Sequence, residues 1–126
     1  MSENKFNELK SVISELREKC PWDRKQTFQS LRSLTIEEVY ELSEAIINQD
    51  PKNIEEESGD LLLHILFYAK LGEEKKLFSI NTIIEKLIFK LKERHPHIYG
   101  NLKAKTSEEV EALSLIHISE PTRQVL

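Results

Sequence analysis

The chain has 126 residues, enough for one domain with a core of its own but too few for two. Hydrophobic residues make up 39% and charged residues 32%, and the 3 glycines and 4 prolines leave room for long helices, as in a helical globular protein. The net charge of −4 argues against a nucleic-acid polymer as partner, because proteins that bind such polymers favour a basic surface.

Cys20 is the single cysteine, so no internal disulfide can form and a reducing compartment is indicated. The sequence shows neither a basic-then-apolar leader nor an apolar run of about 18 residues. We therefore expect a cytoplasmic protein that is neither secreted nor embedded in a membrane.

The first helix is predicted over residues 3–19, where apolar residues recur at helical spacing. It ends at Cys20-Pro21, because the residue before a proline avoids the helical region. Residues 20–34 are predicted to form a loop that can include one short turn.

Helix two is predicted from Thr35 to Asn48, with Thr35 as its cap and Glu38 completing a capping box. Ile36, Val39 and Tyr40 contribute to its apolar stripe.

Helix three is predicted to begin at Asp50-Pro51, an N-cap followed by proline at the first helical position, and to stop at Gly72. Residues 61–69 are apolar all round, and such a helix must be buried on every side. We therefore expect a partner subunit.

Helix four is predicted over residues 80–94, with Lys86, Lys90 and Arg94 along one edge. Strand-like alternation is absent. The fold class is thus predicted as all-α, with a four-helix-bundle-like subunit that assembles as a dimer or a higher oligomer. The domain is expected over residues 1–105, and residues 106–126 as an irregular tail that is disordered or foreign to the native domain.

Four acidic side chains carry the functional signal, as two pairs three residues apart: Glu38 with Glu41, and Glu57 with Asp60. Residues at this spacing share a helix face, so two such pairs on facing helices would crowd four carboxylates together. Their repulsion calls for a cation, and an oxygen-only ligand set suits Mg²⁺ or Mn²⁺. Two solvated acidic faces would explain the spacing equally well.

Two details favour the metal site. The acids adjoin apolar stripes, and Gly59 beside Asp60 suggests that something approaches the backbone there, since glycine costs about 1 kcal/mol within a helix.

His64, four residues after Asp60, is read as a packed core histidine or as a supporting donor. The spacing of Asp60 and His64 excludes a ferritin-like di-metal oxidase, and too few His and Cys residues cluster for zinc.

Four segments occur in order at residues 20–27 (CPWDRKQT), 37–41 (EEVYE), 57–62 (ESGDLL) and 94–100 (RHPHIYG). Together they resemble the motifs of the MazG family of nucleoside triphosphate pyrophosphohydrolases. The resemblance covers about residues 6–100. It implies an all-α bundle that forms a dimer or a dimer of dimers, and a Mg²⁺-dependent cleavage of a nucleoside triphosphate to the monophosphate and pyrophosphate.

The resemblance also implies roles for individual residues. It makes Glu38, Glu41, Glu57 and Asp60 the metal ligands, and it makes Glu37 and Glu38 the catalytic candidates. For substrate binding, Lys90 and Arg94 match basic positions of the family. Trp22, the single tryptophan, either plugs the end of the bundle or stacks on a nucleobase, and Lys25 is a further candidate for substrate binding. After Val110 nothing matches the Trp- and Lys-rich C-terminal segment of many members, so a non-catalytic nucleotide-binding or protein-interaction module stays open as the alternative.

Overall fold

A computed structural model of the chain describes residues 2–100 and residue 108. The described residues contain helices and no strand, which confirms the predicted all-α class. The helices are α1 (Ser2–Lys19), α2 (Pro21–Arg24), α3 (Phe28–Ile47), α4 (Pro51–Glu74), α5 (Ile80–Arg94) and α6 (Pro96–Tyr99). Apart from Glu108, the predicted tail lies outside the described residues.

Helix α3 begins at Phe28, well before the predicted start at Thr35. A capping box fixes this start: Thr27 Oγ1 accepts the N–H of Ser30 at 3.0 Å, and Ser30 Oγ accepts the N–H of Thr27 at 2.8 Å. The predicted loop with one short turn is therefore confirmed for residues 20–27, where α2 is that turn, but was wrong for residues 28–34, which belong to α3. The predicted cap at Thr35 was also wrong. Thr35 lies inside the helix, where its hydroxyl donates to the Leu31 carbonyl at 3.0 Å.

The start of α4 is as predicted. The Asp50 carboxylate accepts the backbone N–H of Asn53 at 3.3 Å and its side-chain amide at 2.8 Å, and Pro51 takes the first helical position. The predicted stop at Gly72 was wrong, because α4 continues to Glu74. Gly72 is needed for another reason: a Cβ there would lie 2.3 Å from the ring of Phe78.

The chain divides into two compact units, Met1–Ile80 and Asn81–Leu126. In the first unit α3 packs along α4, and α4 also packs against α1. The core of this unit is made of side chains that are at most 5% exposed: Ile13, Leu31, Leu66, Phe67 and Leu71. Helices α3 and α4 are thus held side by side, which fixes the positions of the acids they carry.

Helix α5 has the predicted bounds, residues 80–94, and lies in the second unit except for its first residue, Ile80. His95 Nδ1 donates to the Leu91 carbonyl at 2.7 Å where α5 ends, and Pro96 opens the short helix α6. Within the part of the chain that the structure describes, no helix combines the length and the apolar character needed to cross a membrane.

Large apolar side chains remain exposed on the single chain. Leu62, Leu63 and Ile65, in the half of α4 predicted to be buried on every side, are 40–43% exposed. Tyr40 and Ile47 on α3 are more exposed still. Within the part of the chain that the structure describes, these side chains therefore stay exposed, and the predicted partner subunit remains a prediction.

Candidate metal centre

Three of the predicted ligands converge between α3 and α4. One carboxylate oxygen from each of Glu38, Glu41 and Glu57 lies within 4.8 Å of the other two. The convergence follows from local geometry: Glu38 and Glu41 share a face of α3 because they are three residues apart, and the packing of α3 along α4 brings Glu57 opposite them.

The electrostatics of this cluster are unfavourable for three ionised groups. Burial, followed by the charges of the neighbouring carboxylates of Glu41, Asp60 and Glu38, raises the pKa of Glu57 to about 7. The pKa of Glu38 is also raised, first by burial and then by the charges of Glu41 and Asp60. At neutral pH the cluster is therefore partly protonated, whereas ordinary carboxyl groups would be ionised.

Two oxygens of the cluster are left without a hydrogen-bond donor. Glu38 Oε2 and Glu57 Oε1 are buried and have no hydrogen-bond partner among the described residues. An unsatisfied buried acceptor costs roughly 1–3 kcal/mol, and more when it is charged. A hard divalent cation that takes oxygen ligands would satisfy both atoms and neutralise the cluster, so the residues present fit Mg²⁺ or Mn²⁺.

Two further acids were predicted at this site. Asp60 is half-buried, three residues after Glu57 on α4, and its charge raises the pKa of both Glu38 and Glu57. Its oxygens are not among the three that lie within 4.8 Å of one another. Glu37 is exposed, and as the direct neighbour of Glu38 on α3 it points to another side of the helix.

Gly59 does not show the close contact that its place in the sequence suggested. A Cβ at this position would meet nothing within 4 Å in the described residues, so the space beside Glu57 and Asp60 is open. The described residues thus give no packing reason for a glycine here.

A polar network beside the acids was not found from the sequence. His64 Nδ1 lies 2.6 Å from Thr35 Oγ1, and the Tyr68 hydroxyl also hydrogen-bonds to Thr35. From the sequence, Thr35 was predicted to cap a helix, and His64 was predicted to pack in the core or to support Asp60. With α3 starting at Phe28, whether Thr35 lies opposite His64 depends on how far α3 is shifted along α4. The repeat of apolar residues in the sequence does not determine that shift.

The predicted substrate-binding residues fall in both units. Trp22 on α2 is 50% exposed, so it does not plug the end of the bundle, and Lys25 is exposed where α2 ends. Lys90 and Arg94 lie one turn apart on α5, in the second unit. Arg94 Nε is buried without a hydrogen-bond partner among the described residues.

The fold and the carboxylate cluster together define an all-α protein with an anionic site suited to a divalent cation. Residues 26–99, more than half of the chain, match the family described as the MazG nucleotide pyrophosphohydrolase domain. The chain therefore belongs to that family.

Two similar proteins are named as nucleoside triphosphate pyrophosphohydrolases. The chain is 46% identical over 98 residues to the nucleoside triphosphate pyrophosphohydrolase/pyrophosphatase MazG of Thermotoga maritima, covering 76% of this chain and 38% of that protein. It is 38% identical over 112 residues to the nucleoside triphosphate pyrophosphohydrolase of Escherichia coli K12, covering 86% of this chain and 43% of the relative. It thus spans less than half the length of these curated relatives.

A solved structure supports the fold. The crystal structure of a MazG-related protein from Thermotoga maritima superposes with a TM-score of 0.74 at 26% sequence identity. The match covers 90% of this chain and 99% of that one.

Proposed function

We propose that the chain hydrolyses nucleoside triphosphates to the nucleoside monophosphate and pyrophosphate in a Mg²⁺-dependent reaction. The observation that carries this proposal is the convergence of Glu38, Glu41 and Glu57 with two buried oxygens that have no hydrogen-bond donor. Membership of the MazG family and the names of its relatives give the class of substrate.

The metal ligands in this proposal are Glu38, Glu41, Glu57 and Asp60. A bound Mg²⁺, or Mn²⁺ in its place, would lower the pKa of a water molecule and neutralise charge on the phosphates. The raised pKa values of Glu38 and Glu57 support this proposal, because a bound cation would stabilise the ionised forms of all four carboxyl groups.

The chain's other residues would bind and orient the nucleotide. Lys90 and Arg94, one turn apart on α5, are cations that can bind phosphate oxygens. The buried Nε of Arg94 has no hydrogen-bond partner among the described residues and could donate to a phosphate. Trp22 has an exposed ring face on which a base can stack, with Lys25 close by in sequence. Glu37 or Glu38 would accept the proton of the attacking water as the bond between the α- and β-phosphates breaks.

We further propose that the exposed apolar residues of α3 and α4 form the interface of a homodimer. Tyr40, Ile47, Leu62 and Leu63 are large apolar side chains at least 40% exposed on the single chain. Several large exposed apolar side chains on two helices that pack together are typical of an association site. Light scattering on the purified chain tests this, and a monomer at micromolar concentration would contradict it.

The activity is tested by separating the nucleotide products by ion exchange after incubation with several triphosphates, with Mg²⁺ and with a chelator. We expect monophosphate and pyrophosphate with Mg²⁺ only, and loss of turnover in Glu38→Gln and Asp60→Asn. Glu44→Gln, an exposed acid on the same helix as Glu38, is the matched control and should stay active.

Diphosphate as the product, or full activity in both site variants, would overturn the assignment. Nucleotide binding without any product would favour the alternative of a non-catalytic nucleotide-binding module.

A further inference from the structure

The hydroxyl of Thr35 meets three polar groups at once. Thr35 Oγ1 lies 3.0 Å from the Leu31 carbonyl oxygen and 2.6 Å from His64 Nδ1, and it also hydrogen-bonds to the Tyr68 hydroxyl. All of these groups belong to α3 and α4, the two helices that carry the converging acids.

The number of protons available decides the direction of these hydrogen bonds. A threonine hydroxyl has one hydrogen to donate and two lone pairs to accept with. The Leu31 carbonyl can only accept, so the hydrogen of Thr35 goes to it. Both lone pairs of Thr35 Oγ1 are then left as acceptors, and His64 Nδ1 and the Tyr68 hydroxyl must each donate. His64 is therefore protonated on Nδ1.

This protonation leaves the other ring nitrogen as an acceptor. Burial lowers the pKa of His64 from its ordinary value, although the charge of Asp60 works against that shift, so the ring is neutral at neutral pH. A neutral imidazole with hydrogen on Nδ1 carries a bare lone pair on Nε2. Nε2 makes no hydrogen bond to any described residue.

The network lies one helical turn from the acids on each helix. Thr35 precedes Glu38 by three residues on α3, and His64 follows Asp60 by four residues on α4. An ionised Asp60 is also an acceptor, so it cannot bond directly to a bare Nε2. A hydrogen-bonded link between the two groups would therefore need a donor from which both can accept, and water is such a donor.

We propose that His64 is a positioning residue, held in its Nδ1-protonated form by Thr35, whose Nε2 accepts a hydrogen bond from a water molecule of the acidic site. This inference rests on the proposed function for its role in hydrolysis. The tautomer can be measured without any catalysis, so the two can fail separately.

The tautomer is read from the ring nitrogens by long-range ¹H–¹⁵N correlation spectra of the full chain at neutral pH, with His64→Gln to assign the resonance. We expect the Nδ1-protonated form of His64 in the wild type. Thr35→Val, which removes the acceptor at nearly constant volume, should mix the two tautomers, and Thr35→Ser should keep the wild-type form. A wild-type His64 protonated on Nε2 would overturn the inference.

The role in hydrolysis is tested by comparing two amides at position 64. The asparagine of His64→Asn can still donate from the place of Nδ1 but has nothing at the place of Nε2. The glutamine of His64→Gln reaches the place of Nε2 with an amide that can accept. Losing one hydrogen bond in the transition state should lower kcat of His64→Asn roughly tenfold with KM for the nucleotide little changed. His64→Gln should recover most of that loss.

Thermal melts of both variants show whether each is folded, and Thr35→Val supplies a second, independent perturbation that should also lower kcat. An unchanged kcat in His64→Asn, or no recovery in His64→Gln, would overturn the positioning role. A wild-type chain that does not hydrolyse triphosphates would overturn the proposed function and this role together, while the tautomer result would stand.

Discussion

Arg17 on α1 and Glu74 at the end of α4 are joined by two parallel hydrogen bonds, Nε to Oε2 at 2.9 Å and Nη2 to Oε1 at 3.0 Å. The remaining nitrogen of Arg17, Nη1, donates to the carbonyls of Asp23, Arg24 and Gln26 at 2.6, 2.9 and 3.2 Å. A single guanidinium thus ties α1 to α4 and satisfies backbone acceptors where α2 ends. Such planar, multidentate bonding is particular to arginine.

The first prediction concerns this guanidinium. Arg17→Met keeps a flexible side chain that can pack on Phe67 but removes every donor of the guanidinium. The carbonyls of Arg24 and Gln26 then lose the hydrogen bond from Nη1, whereas the Asp23 carbonyl still accepts the backbone N–H of Gln26. We expect the free energy of unfolding to fall by about 2–3 kcal/mol, as measured by urea denaturation. Lys19→Met is the matched control: Lys19 pairs with Glu15 at 3.1 Å, but both side chains are more than 60% exposed, so the cost should stay below about 0.5 kcal/mol. Equal losses in the two variants would contradict the assigned role.

The second prediction concerns pH and Glu57. The pKa of Glu57 in the folded chain is about 7, above its value in an unfolded chain, so folding favours the protonated form. Its contribution to stability is fully present below about pH 4.3 and is lost as the pH rises through about 7. Without metal, the free energy of unfolding should therefore decline over this window because of Glu57.

His64 works in the opposite direction below about pH 6.5, since its pKa is lowered on folding, so the contribution of Glu57 must be isolated by mutation. Glu57→Gln should flatten the decline between pH 5 and pH 8 in urea titrations of the metal-free chain. A variant with the same pH profile as the wild type would show that Glu57 does not titrate abnormally.

The third prediction compares two glycines of α4. Gly72→Ala puts a methyl group against Phe78, whose ring already packs near Phe28 with centroids 6.1 Å apart, and should destabilise the fold by about 1–3 kcal/mol. Gly59→Ala meets open space and should instead stabilise the helix by up to about 1 kcal/mol.

Thermal and urea denaturation of both glycine variants measure these changes in the free energy of unfolding. A neutral Gly72→Ala would mean that the Phe78 ring shifts aside freely. A destabilising Gly59→Ala would mean that a neighbour from outside the single chain approaches that position.

The fourth prediction concerns the start of α3. Thr27→Ala removes the hydroxyl that accepts the N–H of Ser30 and should lower the free energy of unfolding by about 1 kcal/mol. Ser33→Ala, at an exposed position within the same helix, should be neutral or slightly stabilising because alanine is the better helix former. If Thr27→Ala cost no more than Ser33→Ala, the capping box would not be what fixes this helix end.

Local spacing in the sequence was enough to find the acids that converge. Glu38 and Glu41 had to share a face of one helix, and the Asp50-Pro51 start set the register of the other. The bounds of α1 and α5 followed in the same way from the repeat of apolar residues. Each of these predictions depends only on residues within a few turns of one another.

The predictions that failed depended on distant residues. Thr27 and Thr35 are both plausible caps by sequence, and the choice goes to Thr27 because Phe28 and Leu31 then pack on the core from within the helix. Gly72 looks like a helix stop until Phe78 is seen to pack on it. The contact of Thr35 with His64 depends on how far α3 is offset along α4, which is a property of the packed helices and not of either sequence segment.

The three carboxylates that meet between α3 and α4 all lie within residues 38–57, in the first unit, which ends at Ile80. Their meeting is therefore decided before the chain reaches α5. Segments that follow α4 could therefore be exchanged without rebuilding this cluster of negative charge.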